Sequence, residues 1–213
     1  MINALENPLK NTIGDLVDQF REKLARKFQE EMGDNWYVED FRDRPNMIYI
    51  AKPDWFDDEY YIYYEIGSSA DNIPDINYRG LGISLKTFFS KGNLYQGNIE
   101  EDENNENIKD DWREIKDKIP QELYELFNQI VEKGKQVWNI TDSDFEKYNP
   151  FSWRCIFEPV YPDDLKLQDN LESLRKILPE NVDQYVNALY EDLIPFIRET
   201  EQIVDQIVAY RNR

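Results

Sequence analysis

The sequence contains no histidine and a single cysteine, Cys155. Without histidine, Ser-His-Asp and Cys-His catalysis are excluded. One thiol forms no disulfide within the chain, and the Cys and His clusters that hold zinc cannot be assembled. Cations are also scarce. Lys and Arg number 25 against 44 Asp and Glu, a net charge of −19. General binding of a nucleic-acid backbone demands a surplus of Lys and Arg, so direct nucleic-acid binding is not expected. Long apolar runs are missing too. Nothing approaches the roughly 18 residues of a membrane-spanning helix. The opening Met1–Glu6 lacks the basic region and apolar core of a signal peptide. Together with the lone thiol, that predicts a reducing cytosol.

The chain is instead rich in aromatics: 14 Tyr, 11 Phe and 5 Trp, in a sequence that is 40% hydrophobic. Disordered acidic chains are poor in such residues, so a folded protein is expected. At roughly 150 residues per domain, residues 1–213 read as one domain. A folded chain of this size exposes roughly 10,000 Å². The surplus charge therefore sets up a strong negative field at low salt.

Apolar periodicity places the elements. Leu9, Ile13, Leu16, Val17, Phe20, Leu24 and Phe28 recur at steps of three and four, which predicts a helix over 9–32. Thr12 is a candidate cap and Gly33 a stop. Lys and Arg at 21, 23, 26 and 27 fall in its C-terminal half, as a solvated face or a binding patch. Residues 36–89 read as a β-meander. Its strands are Met47–Ala51, Tyr60–Ile66 and Leu81–Leu85, after an extended Trp36-Tyr37-Val38. In Tyr60–Ile66, Tyr60, Ile62, Tyr64 and Ile66 share one face, and Tyr61, Tyr63 and Glu65 the other. The acidic, Asn-rich 100–107 offers nothing to bury and is expected to be mobile. Helices are predicted over 109–133, a strand over 153–157, and helices over 165–210. Pro179 breaks the last group, Asn181 caps its second helix, and Pro195 should kink or split that helix. The predicted class is α+β: an antiparallel β-meander of about four to five strands, covered by a long N-terminal helix and C-terminal helices.

Three clusters are candidates for chemistry. Asp54, Asp57, Asp58, Glu59 and Glu65, with Lys86, supply the carboxylates and lysine of a Mg²⁺-dependent nuclease. A turn would instead point Asp57, Asp58 and Glu59 outward, and no Glu-x-Lys stands on a strand. Tyr49, Tyr61 and Tyr63, with Trp55, form either an aromatic face for a partner or a second buried face with wet hydroxyls. Gly80-Leu81-Gly82 begins a strand rather than a helix, so a bulge fits better than a phosphate loop. Cys155 reads as a buried structural thiol.

The order of features resembles one known family. A long initial helix precedes Trp36, then Ile48-Tyr49-Ile50-Ala51-Lys52-Pro53-Asp54-Trp55, then Tyr60–Ile66 and Gly80-Leu81-Gly82-Ile83. Trp138, Trp153 and a terminal helix come after these. Over about residues 30–210 this is similar to the C-terminal accessory region of some prokaryotic and phage proteins of the PD-(D/E)XK nuclease superfamily. The core motif of those nucleases, an Asp followed by Glu-x-Lys on a strand, is not recognisable, so no catalytic residue carries over. The resemblance implies a recognition or regulatory module. The leading expectation is a non-enzymatic acidic protein, without cofactor or metal, that engages a basic protein surface. An inhibitor, DNA mimic or immunity protein of a nucleic-acid-processing enzyme fits that description. Trp55, Asp57, Asp58, Glu59, Tyr61 and Tyr63 are its expected contact residues. A divergent Mg²⁺-dependent nuclease is the alternative.

Overall fold

A computed structural model describes residues 3–40, 47–55, 62–67, 79–83, 117, 119–139 and 175–211. Within these, side chains are described for 15–39, 48–55, 62–64, 66, 117, 119–139 and 175–210. The chain is a mixed α+β protein. Helix α1 spans Asn3–Met32. Strands β1 (Tyr37–Asp40), β2 (Met47–Ala51), β3 (Ile62–Gly67) and β4 (Arg79–Ile83) come next, neighbours in chain order in one sheet. Helices α2 (Gln121–Trp138) and α3 (Val182–Arg211) complete the described elements. None of the described helices is long and apolar enough to cross a membrane. The strand expected over 153–157, Cys155 and the acidic 100–107 stretch lie outside the described residues, as do nearly all of 109–118 and all of 165–174 in the helices expected there.

Helix α1 begins at Asn3, upstream of the expected start, so Thr12 is interior and not a cap. The apolar stripe marks the face that is buried, whereas the backbone helix runs on beyond it. Phe20, Leu24 and Phe28 of that stripe are buried. Gly33 ends the helix with φ +82°, its N–H donating to the Gln29 carbonyl at 3.0 Å. A Cβ at Gly33 would meet nothing within 4 Å, so its need for glycine is purely conformational. Gly33→Ala is therefore expected to cost about 1 kcal/mol, read as a lower urea midpoint with an unchanged slope.

In α2, Leu123, Leu126, Phe127, Ile130 and Val131, spaced at three and four, are buried, joined by Tyr124. Asn139 closes this helix in the left-handed region, donating its N–H to the Lys135 carbonyl. Asn181 does stand just before α3, but its side-chain amide donates backward to the Arg175 carbonyl at 3.0 Å. Pro195 does not split α3. Pro195 is exposed, and so is Glu191, whose carbonyl loses its intrahelical donor. Water can take that bond. On the other side Leu193, Ile194, Phe196 and Ile197 are buried and hold the helix through the proline.

Two compact units divide the chain. The first comprises Met1–Ile50, Glu65–Arg79 and Tyr161–Leu193, the second Ala51–Tyr64, Gly80–Val160 and Ile194–Arg213. In the first, Phe20 stacks on Tyr185 (centroids 5.4 Å apart) and Phe28 meets Tyr190 at 5.0 Å. In the second, Tyr64 touches Phe196 edge-on at 5.7 Å, and Trp138 packs on Phe196 at 4.5 Å.

Candidate binding site

The expected site begins where β2 ends. Ala51-Lys52-Pro53-Asp54-Trp55 leaves the strand, and a short 3₁₀ turn forms over Pro53–Trp55, closed by the Trp55 N–H donating to the Lys52 carbonyl at 3.0 Å. Proline fixes the φ such a turn needs. The turn drives the Trp55 indole fully out of solvent. There Trp55 Nε1 donates to Asp205 Oδ1 at 2.7 Å, which satisfies the indole's only polar atom. Lys52 Nζ donates to the other oxygen of the same carboxylate at 2.6 Å and lies 4.0 Å from Glu201. Its ammonium sits 5.5 Å from the Trp55 ring centroid. Asp205 thus joins a buried aromatic to a half-buried cation.

Tyr64 lies next to Trp55, with ring centroids 5.5 Å apart. Its hydroxyl is 2.8 Å from Thr200 Oγ1. Thr200 also donates to the Phe196 carbonyl at 2.6 Å, and the Tyr64 hydroxyl lies 3.5 Å from the Ile197 carbonyl. Burial pushes the Tyr64 phenol far above its ordinary range, and the Glu201 and Asp205 carboxylates push it further. The Thr200 hydroxyl acts in the opposite sense and is outweighed. The raised value makes a contribution to stability that is fully present below about pH 10 and is lost as pH rises above it. Above that point the unfolded chain releases a proton that the folded chain keeps. Urea midpoints measured from pH 8 to 11 should fall more steeply in the parent than in Tyr64→Phe. The difference should approach about 1.4 kcal/mol per pH unit above pH 10.

The six expected contact residues meet different fates. Trp55 and Tyr63 are buried, as is Tyr49, so their rings are not an exposed face of the free chain. Ile48, Tyr49 and Ile50 are consecutive and all buried, as are Ile62, Tyr63 and Tyr64. Alternation along a strand sends neighbours to opposite faces, so β2 and β3 are covered on both. Asp57, Asp58, Glu59 and Tyr61 lie outside the described residues. Asp54 is exposed, and the Glu65 side chain and Lys86 are not described. Among the described residues, no three His, Cys, Asp or Glu side chains gather as a metal site.

Three of the four α1 cations are engaged within the protein. Arg21 is buried and bonds Asp18 at 2.8 Å. Lys23 reaches Asp183 at 2.5 Å, and Lys27 reaches Glu31 at 2.9 Å while lying 5.1 Å from the Tyr190 ring centroid. Arg26 is exposed. The cluster is chiefly structural. Asp205, Glu201 and Thr200 were not singled out by sequence. One signal was present: Thr200 is a hydroxyl on the apolar stripe of Leu193, Phe196, Ile197 and Val204, and a polar side chain at a core position requires a partner. No family model matches the chain, nor does any curated protein or solved structure.

Proposed function

We propose that this chain is a non-enzymatic acidic binding protein of the reducing cytosol that docks on a basic protein surface. The groove of a nucleic-acid-processing enzyme is such a surface. The observation that carries the reading is the surplus of 44 carboxylates over 25 cations in a chain with no histidine. A field of that strength draws a cationic surface in and orients it before contact. Resemblance to nuclease accessory regions favours a nucleic-acid enzyme as the owner of that surface. We take the fold to be an antiparallel meander of four to five strands covered by the N-terminal and C-terminal helices.

The acidic stretch Asp57, Asp58 and Glu59, with Tyr61, is the proposed docking edge. Trp55 and Lys52, tied to Asp205, anchor the chain just before that stretch. Trp55 and Tyr63 thus enter the proposal as buried supports, not as side chains that touch the partner. The test is affinity capture from the native cell at low and high salt. The reading expects a partner with a basic docking face that is released as salt rises. A partner that is neutral or acidic where it docks would overturn it.

A further inference from the structure

Helix α3 carries one outward face whose residues match themselves under a two-fold rotation. Asn187, Glu191, Pro195, Arg198 and Gln202 are all exposed. Their steps of four, four, three and four place them within about 80° of arc on this helix. Glu191 and Arg198 leave the face without net charge, in a chain of −19. Three of the acids beside it are matched within the protein: Asp183 by Lys23, Glu199 by Lys133 and Asp205 by Lys52. Arg198 enters no ion pair among the described residues. Glu191 is the weakest of the groups that hold Lys27 charged.

In an antiparallel pair of α3 helices, residues equidistant from one point along the helix face each other. The midpoint between Ile194 and Pro195 serves two pairs at once, Glu191 with Arg198 and Asn187 with Gln202. The two-fold axis repeats each pair, which gives reciprocal ion pairs and reciprocal amide contacts. Pro195 stands beside that axis. It has no N–H, so the Glu191 carbonyl on this exposed side lacks its intrahelical donor. A guanidinium offers five donors in a planar fork, enough for the Glu191 carboxylate and that carbonyl together.

We propose that this face of α3 binds a second copy of the chain, as an antiparallel two-fold homodimer in which Glu191 of one copy pairs with Arg198 of the other. The contact is small and the copies repel through their net charge, so the dissociation constant is on the order of 100 µM. At low micromolar concentrations the copies stay apart. The interface does not rest on the docking proposed above, and it responds to salt in the opposite sense. Salt screens the attraction to a basic partner, whereas here it screens the repulsion between two acidic copies.

The test is sedimentation equilibrium of the full chain from about 10 µM to about 1 mM, a span that brackets the expected constant. A monomer–dimer equilibrium is expected in about 150 mM sodium chloride, tightening severalfold at about 500 mM. Arg198→Glu sets carboxylates face to face and should weaken the dimer at least about tenfold. Adding Glu191→Arg to that variant exchanges the two charges and should return the constant to within about threefold of the parent. Arg26→Glu, at an exposed arginine of α1, makes the same change in net charge as Arg198→Glu and should leave the dimer as tight as in the parent. All three positions are exposed, so matched thermal melts will show that the variants fold. A monomer at every concentration, assembly beyond a dimer, or a dimer that loosens as salt rises would overturn the proposal. So would equal effects of Arg26→Glu and Arg198→Glu, or a double variant no tighter than Arg198→Glu alone.

Discussion

Trp55→Ala is expected to remove about 3–5 kcal/mol of folding stability, the range for large buried aromatics. The indole is fully buried, rests against Tyr64 and carries the Lys52 ammonium over its face. Truncation leaves a cavity where those contacts were, and the total stability of a domain is only about 5–15 kcal/mol. The lost hydrogen bond is the smaller part. The Asp205 side chain is 43% exposed, so water can replace the indole donor. Trp55→Phe keeps a six-membered aromatic ring but loses the pyrrole ring with its Nε1–H, and the lost hydrogen bond should therefore cost about 1 kcal/mol beyond the lost volume. Asp205→Asn keeps an acceptor for the indole and removes the charge opposite Lys52. At that exposure its cost should stay below about 1 kcal/mol. Urea unfolding followed by far-UV circular dichroism ranks the three variants. An Asp205→Asn loss as large as that of Trp55→Ala would show that charge, not packing, holds this turn.

Reversing Asp57, Asp58 and Glu59 together to lysine should slow association with the captured partner by about ten- to a hundredfold at low salt. The net charge moves from −19 by 2 for each of three residues, to −13. Dissociation should change less, because steering acts on the encounter. Global charge alone could produce part of this. The control is the same reversal at Glu122, Glu125 and Glu191, three exposed acids on α2 and α3. It gives the same −13 with the proposed edge intact. Stopped-flow rates should separate the two triples, the edge variant being the slower. Equal slowing would mean that no particular edge docks.

The long helices were legible because their burial is periodic. Val182, Val186, Leu189, Leu193, Phe196 and Ile197 are all buried, as their spacing requires, and so are Val204, Ile207 and Val208. The interior polar contacts were not legible, because they join residues far apart in sequence. Asp205 lies 150 residues from Trp55, and Thr200 lies 136 from Tyr64. No local pattern near Trp55 tells an exposed aromatic anchor from one whose N–H has found a distant carboxylate. Tyr63 was ambiguous for a related reason. Tyrosine serves equally on a wet sheet face and in a covered one, and only the cover decides. Pro195 was read by its local effect alone, whereas the buried residues flanking it on α3 keep the helix continuous.

The most direct measurement of the central claim is the association rate with the captured partner as sodium chloride rises from about 20 to 500 mM, a range over which the Debye length falls from roughly 20 Å to a few Å. Docking driven by the charge surplus predicts a steep, continuous fall in that rate of tenfold or more, with a much flatter dissociation rate. An association rate that does not change across the range would contradict it, and the excess carboxylates would then serve solubility alone.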